Sequence, residues 1–127
     1  MIEFLTPTHI DILNALNQAG VAVVIDNHEI CKSQEFDGHF ITKKDPKNNY
    51  NKSVLLICLK TIQKNYQDWK EELNRTIAHE AVHAAQACRS GDGYIRKLGF
   101  KQGIEEEAFA IQDNPNEVLR IVIKYCL

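Results

Sequence analysis

The chain has little proline and glycine, with three and six residues among 127. This scarcity excludes a collagen-like repeat and a long disordered linker, while 44% hydrophobic and 25% charged residues are typical of a folded globular protein. A chain of this length has room for one domain with one core. We therefore expect residues 1–127 to form a single domain with one functional site.

The chain also has no large excess of positive or negative charge. The formal net charge is -2 and the pI is near 6.2, so the basic stripe typical of nucleic-acid-binding proteins is not expected. No apolar run approaches the roughly 18 residues of a membrane span, and the N-terminal segment lacks the basic and apolar regions of a signal peptide. These absences predict a soluble, cytoplasmic protein without a nucleic-acid partner, and they leave its oligomeric state open.

Closely spaced cysteines are missing as well. Cys31, Cys58, Cys88 and Cys126 form no CxxC motif, which argues against a zinc ribbon and a thioredoxin-like site. Cys58 and Cys126 follow apolar residues and are expected to act as small core side chains. We predict reduced thiols, as in a cytosolic compartment, with a disulfide between some pair as the alternative.

The N-terminal half has the pattern of one helix followed by a small sheet. Thr6 and Pro7 resemble a helix cap and first residue, the apolar spacing continues to residue 16, and Gly20 marks the end. Residues 21–25, 29–33 and 36–43 are predicted strands. Residues 53–60, SVLLICLK, are apolar on both faces and predict a central strand.

The C-terminal half has helical periodicity. Apolar residues recur every three or four positions from Ile62 to Cys88, which predicts one helix from the mid-60s to about residue 89. A loop over residues 90–103 and two further helices follow, the last with Asn114 as cap and Pro115 at its first position. The predicted fold is α+β, with a small, mostly antiparallel sheet and an N-terminal helix packed on the long helix and two C-terminal helices.

The predicted long helix contains the sequence IAHEAVHAAQ at residues 77–86. A step of four residues places His79 and His83 on one helix face about 6 Å apart, where both imidazoles can reach one zinc ion. Glu80 points about 100° away and lies beside the open position of such an ion, where a general base acts on water. The motif predicts a catalytic zinc site, against the alternative of ordinary polar residues on a helix face.

A third ligand is expected from the following helix. Residues 105–107 are three glutamates within GIEEEAFAIQ, after a loop long enough to reverse the chain. Much of this helix is apolar, so at least one glutamate must face inward or lie at the edge of the buried face. Ala81, Ala84 and Ala85 would allow a close approach of this helix to the histidines. The alternative is that all three glutamates form a solvated helix N-terminus.

The segments AHEAVHAAQACR and EEEAFAIQ resemble the gluzincin branch of the zincin metallopeptidases. That resemblance implies a minimal zincin-like fold. It also implies Glu107 as the third ligand, with Glu106 as the second choice, because the gluzincin glutamate often has an alanine directly after it or three places on. The chain is also similar to the mitochondrial inner-membrane peptidases that process an ATP-synthase subunit, and to ImmA-like peptidases. It has Gln86 where the mitochondrial peptidases usually carry an acidic residue, and it lacks their extra cysteine pairs. It also has no DNA-binding segment to accompany the similarity to ImmA-like peptidases.

The expected function is a zinc-dependent metallopeptidase that acts on a protein or peptide substrate. Zn²⁺ is the expected cofactor and Glu80 the general base. Tyr94, in the predicted loop, is a candidate donor to the oxyanion. The substrate is expected to pair as an extended strand with residues 36–43. The alternative function is an inactive, zinc-bearing zincin-like domain that binds a protein partner.

Overall fold

The computed structural model describes residues 1–90 and 101–127 and has six helices and three strands in these ranges. The helices are α1 (Pro7–Gln18), α2 (Glu29–Lys32), α3 (Leu59–Asn65), α4 (Trp69–Ser90), α5 (Lys101–Ile111) and α6 (Pro115–Cys126). The strands are β1 (Ala22–Ile25), β2 (Gly38–Ile41) and β3 (Val54–Ile57). The α+β class predicted from the sequence is confirmed.

Helix α1 begins and ends where its sequence predicts. The Thr6 side chain accepts a hydrogen bond from the backbone N–H of His9 at 3.2 Å, which satisfies one of the free donors of the first turn. Pro7 occupies the first position, where its missing N–H has no cost. Gly20 has a φ of +87°, a conformation that glycine adopts without strain, and it turns the chain into β1.

The sheet is mixed, with strand order β1-β3-β2. Strand β3 is central as predicted, and all four of its residues are fully buried. It pairs in parallel with β1, with Ala22 opposite Val54, and antiparallel with β2, with Gly38 opposite Ile57. The expected mostly antiparallel sheet is therefore wrong for one of the two pairings.

Three predictions of element type or boundary also need correction. Residues 29–33 do not form a strand, because the His28 side chain accepts a hydrogen bond from the N–H of Ile30 at 3.1 Å and caps the short helix α2 instead. The apolar spacing that starts at Ile62 spans two helices, since Tyr66 has extended backbone and separates α3 from α4. Helix α5 begins at Lys101, inside the predicted loop, whose residues 91–100 lie outside the described part of the chain.

Helix α4 is the centre of the fold. Leu73, Ile77, Ala81 and Ala84 on this helix are fully buried in one hydrophobic cluster that also includes residues of α1, the sheet, α3, α5 and α6. Small alanine side chains let neighbouring backbones approach closely, so α4 is surrounded by packed elements over much of its length. The histidine motif therefore lies on a well-supported helix.

All four cysteines are paired, as Cys31–Cys58 and Cys88–Cys126. The prediction of reduced thiols is wrong, because the capped turn of α2 brings Cys31 beside the end of β3 and the end of α6 lies against the end of α4. In each pair the Cα atoms are 5.2 Å apart, a normal disulfide separation. Cys58 is fully buried, as expected for a core residue.

Within residues 1–90 and 101–127, no helix combines the length and the apolar character needed to cross a membrane.

Candidate metal centre

His79 and His83 project from the same face of α4 toward α5. Their ring centroids are 4.9 Å apart. Nε2 of His79 lies 3.5 Å from one carboxylate oxygen of Glu105, and Nε2 of His83 contacts the other. One ligand atom from each of these three side chains lies within 4.8 Å of the others. Two imidazoles and a carboxylate at this spacing could hold one metal ion.

The opposite nitrogen of each ring is held by a glutamine. The side-chain oxygen of Gln112 lies 2.8 Å from Nδ1 of His79, and that of Gln86 lies 2.8 Å from Nδ1 of His83. An amide oxygen only accepts, so each Nδ1 carries the proton, which in a neutral imidazole leaves the Nε2 lone pair free for a metal ion shared with Glu105. Both rings are therefore held in the tautomer that binds a metal through Nε2.

The amide orientation of Gln86 is fixed by its other contacts. Its nitrogen donates to the backbone oxygen of Ile104 at 3.0 Å and to Glu107 at 2.8 Å. Both partners only accept, so the Gln86 nitrogen must face them and its oxygen must face His83. Gln86 and Gln112 were not predicted as partners of the histidines. The three-residue step from His83 to Gln86 is a usable signal, whereas Gln112 is far along the chain and has none.

Glu105 occupies the position that was expected for Glu107, with Glu106 as second choice. Successive helix residues are about 100° apart, and buried Ile104 and Ala108 define the face of α5 that packs on α4. Glu105 lies on one side of this face, Glu107 on the other, and Glu106 points outward and is exposed. In the structure the glutamate grouped with the two histidines is therefore Glu105, two residues before the expected Glu107.

Glu107 has a different role in the contact between α4 and α5. Its carboxylate accepts from Gln86 and lies 3.4 Å from the Arg89 guanidinium. It therefore contacts His83 only through Gln86. Of the two alanines that favoured Glu107, Ala108 lies on the buried face of α5 and Ala110 is exposed, so the pattern does not identify the side that faces the histidines.

Glu80 is buried and borders the same cleft as His79, His83 and Glu105. Burial raises the pKa of Glu80 to about 8, and the negative charge of Glu105 adds to this effect, while a hydrogen bond with the backbone of Phe40 opposes it. A cation bound nearby would stabilise the carboxylate and lower this pKa. The glutamate expected to act as a base is therefore beside the histidine pair, between α4 and β2.

Gly38 allows β2 to lie close to Glu80. A Cβ atom at Gly38 would be 2.8 Å from Cγ2 of Thr76, 2.9 Å from the backbone oxygen of Leu56 and 3.3 Å from Cγ of Glu80. The first two distances are shorter than atoms of a real side chain tolerate. Glycine is thus required here by the close approach of strand and helix.

The cleft around these groups has a volume of about 760 Å³ and is lined by β2, α4, α5 and the segments before β2 and after α3. His39, an exposed residue of β2, borders it. Tyr94, the predicted oxyanion donor, lies outside the described residues. A different tyrosine, Tyr66, lines the cleft, and its hydroxyl donates to Asp37 at 2.8 Å, which raises the pKa of Tyr66 to about 12.

Fold and site together define an α+β domain with a His–His–Glu group that could hold a metal ion. The chain belongs to the family described as a domain of unknown function, DUF8637, whose model matches residues 1–102. This match includes His79, Glu80 and His83 and ends before Glu105. Comparison with curated proteins gave no match, and comparison with solved structures gave none either.

Proposed function

We propose that this protein is a zinc-dependent metallopeptidase in which His79, His83 and Glu105 hold the ion and Glu80 is the general base. The observation that carries the proposal is the meeting of two imidazole Nε2 atoms and one carboxylate in a cleft that also contains a buried glutamate. The predicted role of Glu107 as a ligand is replaced by Glu105, while the roles of the other three residues are kept.

The donor set is the reason for choosing zinc. Catalytic zinc sites in proteins use three protein ligands, two histidines and one glutamate being one known set, and keep a further position for water or substrate. The glutamine oxygens accept from each Nδ1, the role that carboxylates, backbone carbonyls and waters have beside most metal-binding histidines. When bound, zinc supplies Lewis-acid activation of water and of the scissile carbonyl.

Glu80 is assigned to proton transfer. It follows His79 directly and its side chain borders the cleft. It is not one of the three residues that could hold the metal ion. In this role it takes the proton from the attacking water and returns it to the leaving amine. A site that served only to stabilise the fold would have no use for this group.

Strand β2 is the proposed docking edge for the substrate. It lies at the edge of the sheet and borders the cleft. The hydrogen bond between the Phe40 backbone and Glu80 shows that part of this edge faces the Glu80 side chain. An extended peptide could add to this edge through main-chain hydrogen bonds. Its scissile bond would then lie between β2 and the histidines on α4.

The second candidate function is a catalytically inactive, zinc-bearing domain that binds a protein partner. Structural zinc sites usually have four protein ligands, whereas the group found in the described part of the chain has three. This difference favours the peptidase. The inactive form stays the alternative because metal binding and catalysis require different residues of the site.

The test compares wild type with Glu80→Gln. Both proteins are expected to contain close to one zinc per chain by elemental analysis, since Glu80 is not a proposed ligand. New N-termini, detected by labelling of a treated proteome, are expected with wild type alone. Zinc in both proteins without any wild-type-specific N-termini would favour the interaction domain, and absence of zinc from both would overturn the metal site.

A further inference from the structure

We propose that the cleft selects peptides in which a lysine or arginine lies next to a large apolar side chain. This inference deepens the proposed function and rests on it for the location of the reacting bond. It is carried by two properties of the cleft that the metal group does not require, namely exposed aromatic side chains and an excess of carboxylates.

The exposed aromatic side chains are concentrated at the cleft. Seven large hydrophobic residues of the described chain are exposed, and the three aromatic ones, Phe36, Tyr66 and Phe109, all line the cleft, with 45%, 38% and 61% of their surface accessible. Large exposed apolar groups gathered at one place are typical of binding sites. Their position therefore indicates a ligand that covers them.

These aromatic residues come from separate walls. Phe109, on α5, lies beside the ring of His79, with centroids 4.7 Å apart. Phe36 precedes β2 and lies 6.0 Å from the ring of His39. A peptide that follows β2 past the histidines would thus meet apolar surface on both the strand side and the α5 side.

The same walls carry a surplus of negative charge. Besides Glu80, five carboxylate residues line the cleft, and they are Glu35, Asp37, Asp45, Glu72 and Glu105. Arg75 is the cation among the described lining residues other than the histidines, and its guanidinium already contacts Glu71, Glu72 and Asp113. A divalent metal ion would offset two further charges and leave the cleft negative. Charge complementarity therefore selects a basic peptide over an acidic one.

The acidic surface and the apolar surface of the cleft meet at Glu35, Phe36 and Asp37. These residues are consecutive at the entrance to β2, so an acidic and an apolar surface are neighbours where a docked strand would begin or end. Successive side chains of an extended peptide point in opposite directions and are about 3.4 Å apart along the chain. A basic residue can therefore face the acidic surface while the apolar residue next to it faces the apolar surface.

The test measures binding, so that it does not depend on turnover. Zinc-loaded Glu80→Gln protein is used to select from a display library of short random peptides, and the enriched sequences are read. Enrichment of Lys or Arg beside Phe, Tyr, Trp, Leu or Met is expected. Enrichment of acidic or small polar residues, or no enrichment, would overturn the inference.

Variants then assign the selection to residues. Glu35→Gln and Phe36→Ala, each combined with Glu80→Gln, are expected to weaken binding of an enriched labelled peptide by about fivefold, as for a partly exposed contact. Glu29→Gln, an exposed carboxylate outside the cleft, is the matched control and should leave the affinity unchanged. Equal effects of Glu35→Gln and Glu29→Gln would contradict a local charge contact.

Failure of the two proposals can be told apart. Wild-type protein that leaves the enriched peptides intact would refute the peptidase while the binding preference stands. Wild-type protein that cleaves peptides without regard to basic or apolar residues would support the peptidase and refute the preference.

Discussion

The side chain of Gln86 joins His83 to Glu107. Its oxygen accepts from Nδ1 of His83 at 2.8 Å and its nitrogen donates to Glu107 at 2.8 Å and to the backbone oxygen of Ile104 at 3.0 Å. Gln86 is almost fully buried. An amide is suited to this position because it accepts on one side and donates on the other, so one side chain fixes both the His83 ring and the position of α5.

Replacing Gln86 by glutamate should therefore weaken zinc binding. Gln86→Glu removes both N–H donors, leaves the Ile104 oxygen unsatisfied and places a carboxylate against Glu107, which displaces α5 and with it Glu105. The new carboxylate can still accept from Nδ1 of His83, so the loss is expected through the displaced Glu105, and substitution of such supporting residues typically reduces metal affinity about 10–100-fold. Competition with a chromophoric zinc chelator measures the change, and circular dichroism checks that the variant remains folded.

A double variant separates positioning from general destabilisation. Gln86→Glu with Glu107→Gln restores a donor opposite the new carboxylate, so zinc affinity should recover in part. Glu107→Gln alone provides the baseline. If the double variant binds zinc no better than Gln86→Glu, the contact between the residues does not set the geometry of the centre.

The second prediction concerns the third ligand. Glu105→Ala should reduce zinc affinity more than Glu107→Ala, because only Glu105 contacts both histidines, and Glu107→Ala acts through Gln86. Glu106→Ala, at an exposed position of the same helix, is the control and should have no effect. A larger loss in Glu107→Ala than in Glu105→Ala would restore the assignment expected from the sequence.

Helices α4 and α5 show which part of the site can be predicted from the sequence. Residues 79–83 share a helix whose periodicity is strong, so the relation of His79 to His83 follows from helix geometry alone. The choice among residues 105–107 depends on the rotation of α5 against α4, which is set by the packing of Ile104 and Ala108. That information is tertiary and has no local signal, so the glutamate helix could be predicted and its inward residue could not.

The same reasoning applies to the fold. Strong local signals, such as Thr6 with Pro7, Asn114 with Pro115 and the apolar run of β3, predicted elements correctly. The sequence does not predict the cysteine pairing, because the pairing depends on which segments meet in space. Residues 29–33 have a composition that fits a strand as well as a helix, and histidine is an uncommon helix cap, so the local sequence does not predict α2.

The third prediction concerns the disulfide between Cys31 and Cys58. It joins α2 to the residue after β3 across a sequence separation of 27, and Cys58 is fully buried. Replacing both residues by alanine should lower the free energy of unfolding by about 2–4 kcal/mol, measured by urea denaturation without reductant. Reduction of wild type opens both disulfides and should give a larger loss, whereas reduction of the double variant opens Cys88–Cys126 alone and should change its stability less. Equal stability of wild type with and without reductant would contradict a role for the disulfides.

The last prediction concerns the contact between β2 and α4 at Gly38. Gly38→Ala introduces a methyl group at 2.8 Å from Cγ2 of Thr76 and 2.9 Å from the backbone oxygen of Leu56. The strand must then move away from the helix, at a cost of about 1–3 kcal/mol in the free energy of unfolding, as for overpacking of a well-filled site. Thermal or urea denaturation measures this loss.

The displacement should affect Glu80 and the substrate edge more than the metal. Glu80 contacts Phe40 of β2, whereas His79, His83 and Glu105 lie on α4 and α5. We therefore expect Gly38→Ala to lower peptide cleavage at least tenfold, because the base and the docking edge shift relative to each other, while zinc affinity changes little. Thr76→Ser removes the nearest methyl group, so the double variant should regain part of the stability and activity. A loss of zinc as large as the loss of cleavage would instead indicate that β2 supports the metal group itself.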